Sequence, residues 1–123
     1  MATRSFIAKY DHDTNEYTAI YCHWDGYPDG VGATLKEYYT DSTTIENLLD
    51  LGDLSVLSEN IGQKQDFDNR TEGQCLFYGR DRGEDGIDAL VHTNVEEWLG
   101  FRKGNCCEWG YLWDGQTWNT FEI

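Results

Sequence analysis

The chain has 123 residues, 39% hydrophobic and 15% aromatic, with 23 Asp+Glu against 9 Lys+Arg and a formal net charge of −14. Such a length suits a single domain, residues 1–123, and five Trp, eight Tyr and five Phe supply enough apolar area to exclude a disordered chain. The charge repels nucleic-acid phosphates and anionic lipid surfaces, and no run approaches the roughly 18 apolar residues of a membrane helix, so direct nucleic-acid and membrane partners are set aside.

Residues 1–5 are not followed by the apolar segment of a signal peptide. The expected compartment is therefore reducing, and Cys22, Cys75, Cys106 and Cys107 are read as free thiols. Phe6, Ala8 and Tyr10 alternate with Ile7 and Lys9 and predict a strand. A polar turn-rich segment, 11–16, separates it from a second alternating run, Tyr17 to Trp24, and the two predict an antiparallel hairpin. Tyr17, Ala19, Tyr21 and His23 share one face of that strand; Thr18, Ile20, Cys22 and Trp24 share the other.

Gly26, Pro28 and Gly30 mark 25–30 as a loop. Val31, Leu35, Tyr38 and Tyr39 then follow one helical stripe. Thr43 with Glu46 forms a capping-box pattern ahead of Ile45, Leu48 and Leu49, and Gly52 ends this second helix. Residues 54–61 fit a short strand or a helical turn, and 62–73 read as an exposed loop. Cys75 to Gly79 predicts a short strand, 80–86 a charged turn, and Ile87, Ala89 and Val91 another strand. Asn94, with Glu97 three residues on, caps a helix carrying Trp98, Leu99 and Phe101 and ending at Lys103 and Gly104. Trp109, Tyr111 and Trp113 alternate before Asp114-Gly115, and Trp118 and Phe121 follow, which predicts a terminal hairpin. The order ββααβ(β)αββ gives an α+β fold: a mostly antiparallel sheet with two or three helices packed on one face. If Trp109, Trp113 and Trp118 are partly exposed, the aromatic hairpin favours a homodimer.

Tyr21-Cys22-His23-Trp24-Asp25-Gly26-Tyr27-Pro28 and Tyr78-Gly79-Arg80-Asp81-Arg82-Gly83-Glu84 are the longest distinctive motifs. With Thr3-Arg4-Ser5, Leu51 to Ser55 and the hairpin Tyr111 to Trp118, they make the chain resemble a group of small tailed-bacteriophage and prophage proteins. The resemblance covers most of the chain outside Gln63 to Gly73. It implies an accessory protein acting in the cytoplasm of an infected bacterium, and it implies no particular activity.

Two segments carry candidate chemistry. In the first, His23, Trp24, Asp25 and Tyr27 offer an imidazole, two aromatic planes and a carboxylate at a strand end. The same residues also fit ordinary turn chemistry, with Trp24 and Tyr27 in the core and Asp25 capping the turn. In the second, Tyr78, Arg80, Asp81, Arg82 and Glu84 offer guanidinium groups for a phosphate or carboxylate, or a solvated turn whose charges neutralise one another. No phosphate-loop glycine pattern, paired Cys/His zinc spacing or nucleophile elbow occurs, so no catalytic residue, cofactor or metal is assigned.

These features point to a non-enzymatic accessory protein that binds and modulates a host protein, for example as an acidic anti-defence inhibitor. The alternative is a binder, or an enzyme, of a small nucleotide-like ligand using 22–29 and 78–84. That alternative expects the loop Asp25 to Asp29 and the turn Arg80 to Glu84 to meet at one end of the sheet, with Asp25 or Asp29 pairing with Arg80 or Arg82.

Overall fold

The first hairpin forms where the alternation places it: β1, Ser5–Asp11, pairs antiparallel with β2, Glu16–Cys22. The computed structural model describes residues 3–94, 96–98, 100 and 107–123. Expectations for Leu99, Phe101, Lys103, Gly104 and Cys106 lie outside these residues.

The remaining strands are β3 (Leu54–Val56), β4 (Leu76–Phe77), β5 (Leu90–His92), β6 (Trp109–Trp113) and β7 (Trp118–Glu122). They form one sheet in the order β4-β3-β2-β1-β6-β7, with β5 pairing beside β2 at Tyr17 to Ala19. The β1–β2, β2–β5, β3–β4 and β6–β7 pairs are antiparallel, whereas β1–β6 and β2–β3 are parallel. The fold is α+β as the element order implies, with a mixed sheet in which antiparallel pairing predominates.

Period-two alternation separates the two faces. On one face Ile7, Ile20, Cys22, Leu54, Phe77, Tyr111, Trp113 and Trp118 pack with Val31, Leu35, Tyr39, Ile45, Leu48 and Leu49. The latter set comes from a π-helical turn (Pro28–Gly32), helix α1 (Ala33–Tyr38), helix α2 (Ser42–Asp50) and Tyr39 between the helices. Each fully buried aliphatic side chain in this layer contributes about 1.5–3 kcal/mol of burial. The opposite face is closed differently. Phe6, Ala8, Ala19, Cys107 and Leu112 surround Trp98, and residues 96–98 are helical. Asn94 caps that segment as its sequence implies, its side chain accepting from the Glu97 N–H at 2.7 Å.

The terminal hairpin follows its Asp-Gly signal: Asp114 Oδ1 accepts from the Gln116 and Thr117 N–H groups at 2.9 Å each. Two of its tryptophans are core, Trp113 4% and Trp118 6% exposed, and Trp109 is partly exposed beside them. The Trp118 indole donates to the Tyr39 carbonyl at 2.7 Å, and the Trp113 indole reaches Ser42 Oγ at 3.3 Å. The helix layer thus covers Trp113 and Trp118.

Several boundaries differ from the sequence reading. Tyr38 leaves the α1 stripe and is exposed, and Tyr39 takes the core position. The α2 cap is Asp41 rather than Thr43: its carboxylate accepts from the Thr44 N–H and Oγ1, both at 3.0 Å. Asp41→Ala should therefore cost about 1 kcal/mol, whereas Thr43→Ala should stay within about 0.5 kcal/mol of wild type in urea denaturation. A larger loss at Thr43 than at Asp41 would refute this cap assignment. The expected strand Cys75 to Gly79 is shorter, and the expected charged turn after it begins as helix α3, Tyr78–Arg82.

Candidate functional site

The loop after β2 is held from three sides. His23 and Trp24 continue beside β3, their N–H groups donating to the Leu54 and Ser55 carbonyls at 3.1 and 3.0 Å. Asp25 then turns the chain with φ 57°. The Gly26 N–H donates to the Thr3 carbonyl at 2.8 Å, and the buried Tyr111 hydroxyl donates to the Gly26 carbonyl at 2.6 Å. Only glycine fits there, because a Cβ would lie 2.7 Å from the Thr3 oxygen and 2.8 Å from Ser5 Cβ. Pro28 opens the π-helical turn, and the Asp25 carbonyl accepts from the Val31 N–H at 2.8 Å.

This frame sends the side chains of the first motif in different directions. Cys22 points into the helix-side core, where burial pushes its thiol pKa up to about 12 and leaves it a poor nucleophile. His23 lies on the other face. Its Nδ1 lies 2.7 Å from the Tyr21 hydroxyl in a hydrogen bond, and Trp24 packs edge-on to its ring with centroids 4.8 Å apart. Burial and then the Arg4 charge lower the imidazole pKa below its usual value. Trp24 and Tyr27 are outside the core, 44% and 43% exposed, and the Tyr27 hydroxyl donates to Asp25 Oδ1 at 3.3 Å.

The second motif is a staple. Asp81, with its side chain fully buried, accepts from the Phe77 N–H at 2.8 Å and the Gln65 N–H at 3.0 Å. Arg80 donates through Nε and Nη2 to this carboxylate at 3.0 and 3.2 Å. It also donates through Nη1 to the Ile61 and Gly62 carbonyls, and through Nη2 to the Cys75 carbonyl. Its fork is therefore filled by the chain itself, leaving no donor pair for a phosphate. Arg82 lies over the rings of Phe67 and Tyr78, 4.5 and 4.9 Å from their centroids, and pairs with Glu84 at 2.6 Å. Gly83, at φ 73°, closes α3 in the left-handed region. The expected exposed loop, 62–73, is a loop and mostly exposed, and these contacts tie it and its flanks to α3 through Ile61, Gly62, Gln65, Phe67 and Cys75.

The two segments form no ion pair with one another among the described residues. Cys22, Leu54 and Phe77 share one row of the sheet, and because β4 runs antiparallel to β2 the chain leaves β2 and β4 from that row in opposite directions. The expected pairing of Asp25 or Asp29 with Arg80 or Arg82 is replaced by Arg80–Asp81 and Arg82–Glu84. Burial raises the Tyr78 phenol pKa, and Ser55 acts against it. A separate cleft of about 160 Å³ opens between α2 and the first hairpin, lined by Lys9, Asp11, Thr18, Glu46, Leu49 and Asp50. It is small beside the roughly 300–1,000 Å³ of ordinary ligand pockets, and it contains none of the residues singled out by sequence.

Sequence reasoning missed Tyr38, whose exposed phenol has its pKa raised by the charges of Glu37 and Glu59. It also missed Gln65 and Phe67 as partners of α3. The Glu37-Tyr38 adjacency was the only signal for the first; nothing local signals the others. Comparisons with protein-family models, curated proteins and solved structures give no match. Among the described residues no helix is long and apolar enough to cross a membrane, and no group of three His, Cys, Asp or Glu side chains is placed to hold a metal ion.

Proposed function

We propose that this protein is a non-enzymatic phage accessory protein that binds and modulates a host protein in the cytoplasm of the infected bacterium. The observation that carries the binding part is the rigid presentation of Trp24 and Tyr27. Exposed aromatics on a loop fixed by Thr3, Tyr111 and Val31 need little ordering on association, and Trp and Tyr are the side chains that dominate protein interfaces. The −14 charge suits a basic partner surface, and inhibition of a defence factor is the role such an acidic binder would fill. The phage origin rests on the motif resemblance. We favour this reading over the nucleotide-like alternative because the Arg80 fork is occupied by the chain's own groups.

The test is capture of a stoichiometric host protein from bacterial lysate at low salt, by the wild type and by a Trp24→Ala/Tyr27→Ala double variant. Retention by the wild type and a loss of about tenfold or more by the variant is expected. Failure of the wild type to retain any stoichiometric protein, or equal retention by both, refutes the reading.

A further inference from the structure

Among the described residues, the exposed large aromatics are Trp24, Tyr27 and Tyr38. All three lie on the short stretch that leaves β2 and runs through α1. Tyr27 keeps its phenol against the Asp25 carboxylate at 3.3 Å, and Tyr38 follows Glu37 directly in α1. Neighbouring carboxylates raise both phenol pKa values, chiefly through the charge of Asp25 in the first case and of Glu37 in the second, with Glu59 adding to it. Asp29 adds a further exposed carboxylate beside the loop. A ring face next to a carboxylate is a matched pair of contacts for one kind of side chain, the guanidinium. It stacks flat on an aromatic plane and forms paired hydrogen bonds with a carboxylate through its edge. An ammonium makes the charge contact but neither the flat stack nor the fork.

Resting on the partner-binding reading above, we infer that Trp24, Tyr27 and Tyr38, with Asp25, Glu37 and Glu59, form a docking surface for an arginine-bearing segment of the partner protein. The arginines stack on the exposed rings and pair with the adjacent carboxylates. The opposite arrangement, a cation already in place, occurs elsewhere in this chain: Arg82 lies over Phe67 and Tyr78 and pairs with Glu84. At the 24–38 surface the rings and acids are present and no cation–ring contact occupies Trp24, Tyr27 or Tyr38 among the described residues.

The experiment titrates the full chain with a short Gly/Ser peptide carrying spaced arginines, and with its lysine and citrulline counterparts, by NMR chemical-shift mapping. The arginine peptide should bind about threefold or more tightly than the lysine peptide, and the citrulline peptide not measurably. Trp24→Ala and Tyr27→Ala should each weaken the arginine peptide several-fold, whereas Asp66→Asn, which removes a carboxylate outside this set, should leave it unchanged. Trp24→Leu serves if Trp24→Ala does not fold. Equal affinity for the arginine and lysine peptides, or an equal loss from Asp66→Asn, would assign binding to net charge alone and overturn the inference. Retention of a host protein by the wild type, lost in the double variant, without any arginine preference would overturn this inference and leave the partner-binding reading standing. Loss of both would remove both.

Discussion

Asp81→Ala is expected to lower the stability of the protein by about 3–5 kcal/mol, since it strands a buried guanidinium without its counter-ion. Its side chain is fully buried and that of Arg80 is 12% exposed. Removing the carboxylate also orphans the Phe77 and Gln65 N–H groups. The loss should be visible as a shifted midpoint in urea denaturation, and faster amide exchange over 61–75 should accompany it. The same carboxylate predicts an acid limb. Burial opposes its ionisation, but Arg80 and the two N–H donors outweigh burial and hold its pKa below the usual 3.8. A group whose folded pKa is depressed stabilises the fold above its unfolded pKa and ceases to do so as the pH falls through the folded value. Stability should therefore decline below about pH 4, and Asp81→Asn should show a shallower decline from a lower starting point. A cost under about 1 kcal/mol for Asp81→Ala would mean that α3 and the 61–75 segment are held by something other than this network.

Trp98→Ala should cost a further amount of the same order, about 3–5 kcal/mol, by opening a cavity on the face away from α1 and α2. The indole is fully buried and meets Phe6 edge-on at 4.2 Å, Phe121 at 5.9 Å and Tyr17 in a stack at 5.9 Å. Its Nε1 has no hydrogen-bond partner among the described residues, so Trp98→Phe forfeits little polar energy and should cost clearly less than Trp98→Ala. Thermal unfolding of the two variants side by side decides the matter. Equal losses would indicate that the nitrogen, rather than the ring volume, is what the site requires.

The sequence carried the hairpins well, because alternation and turn chemistry are local. Tyr17 to Cys22 and Trp109 to Trp113 read directly as strands, and Asp114-Gly115 read as the turn. It carried α3 poorly for the opposite reason. The five residues Tyr78–Arg82 have no apolar period, and their conformation is fixed by partners at Ile61, Gly62, Gln65 and Phe67 that composition does not reveal. The Asp41 cap was displaced by two residues because Thr43 and Glu46 match the capping box equally well. For Trp24 and Tyr27, core packing and surface display were both consistent with the sequence. The left-handed Asp25 and the close approach of Gly26 to Thr3 turn them outward, and neither constraint can be read from residue types alone.

The parallel pairing of β1 with β6 has a consequence for synthesis. Ser5 lies opposite Trp109 and Lys9 opposite Trp113, so each partner is 104 residues later in the chain. During synthesis β1 and β2 emerge well before β6 and can zip together, yet one side of β1 stays open until β6 has left the exit tunnel. Contacts of such wide separation slow folding, and an open strand edge in the meantime is a site for misassociation. Lys9, whose ammonium pairs with Glu46 in the finished fold, places a charge on that waiting strand. A nascent chain stalled before residue 109 should bind chaperones and expose β1 to protease, and emergence of β6 should end both.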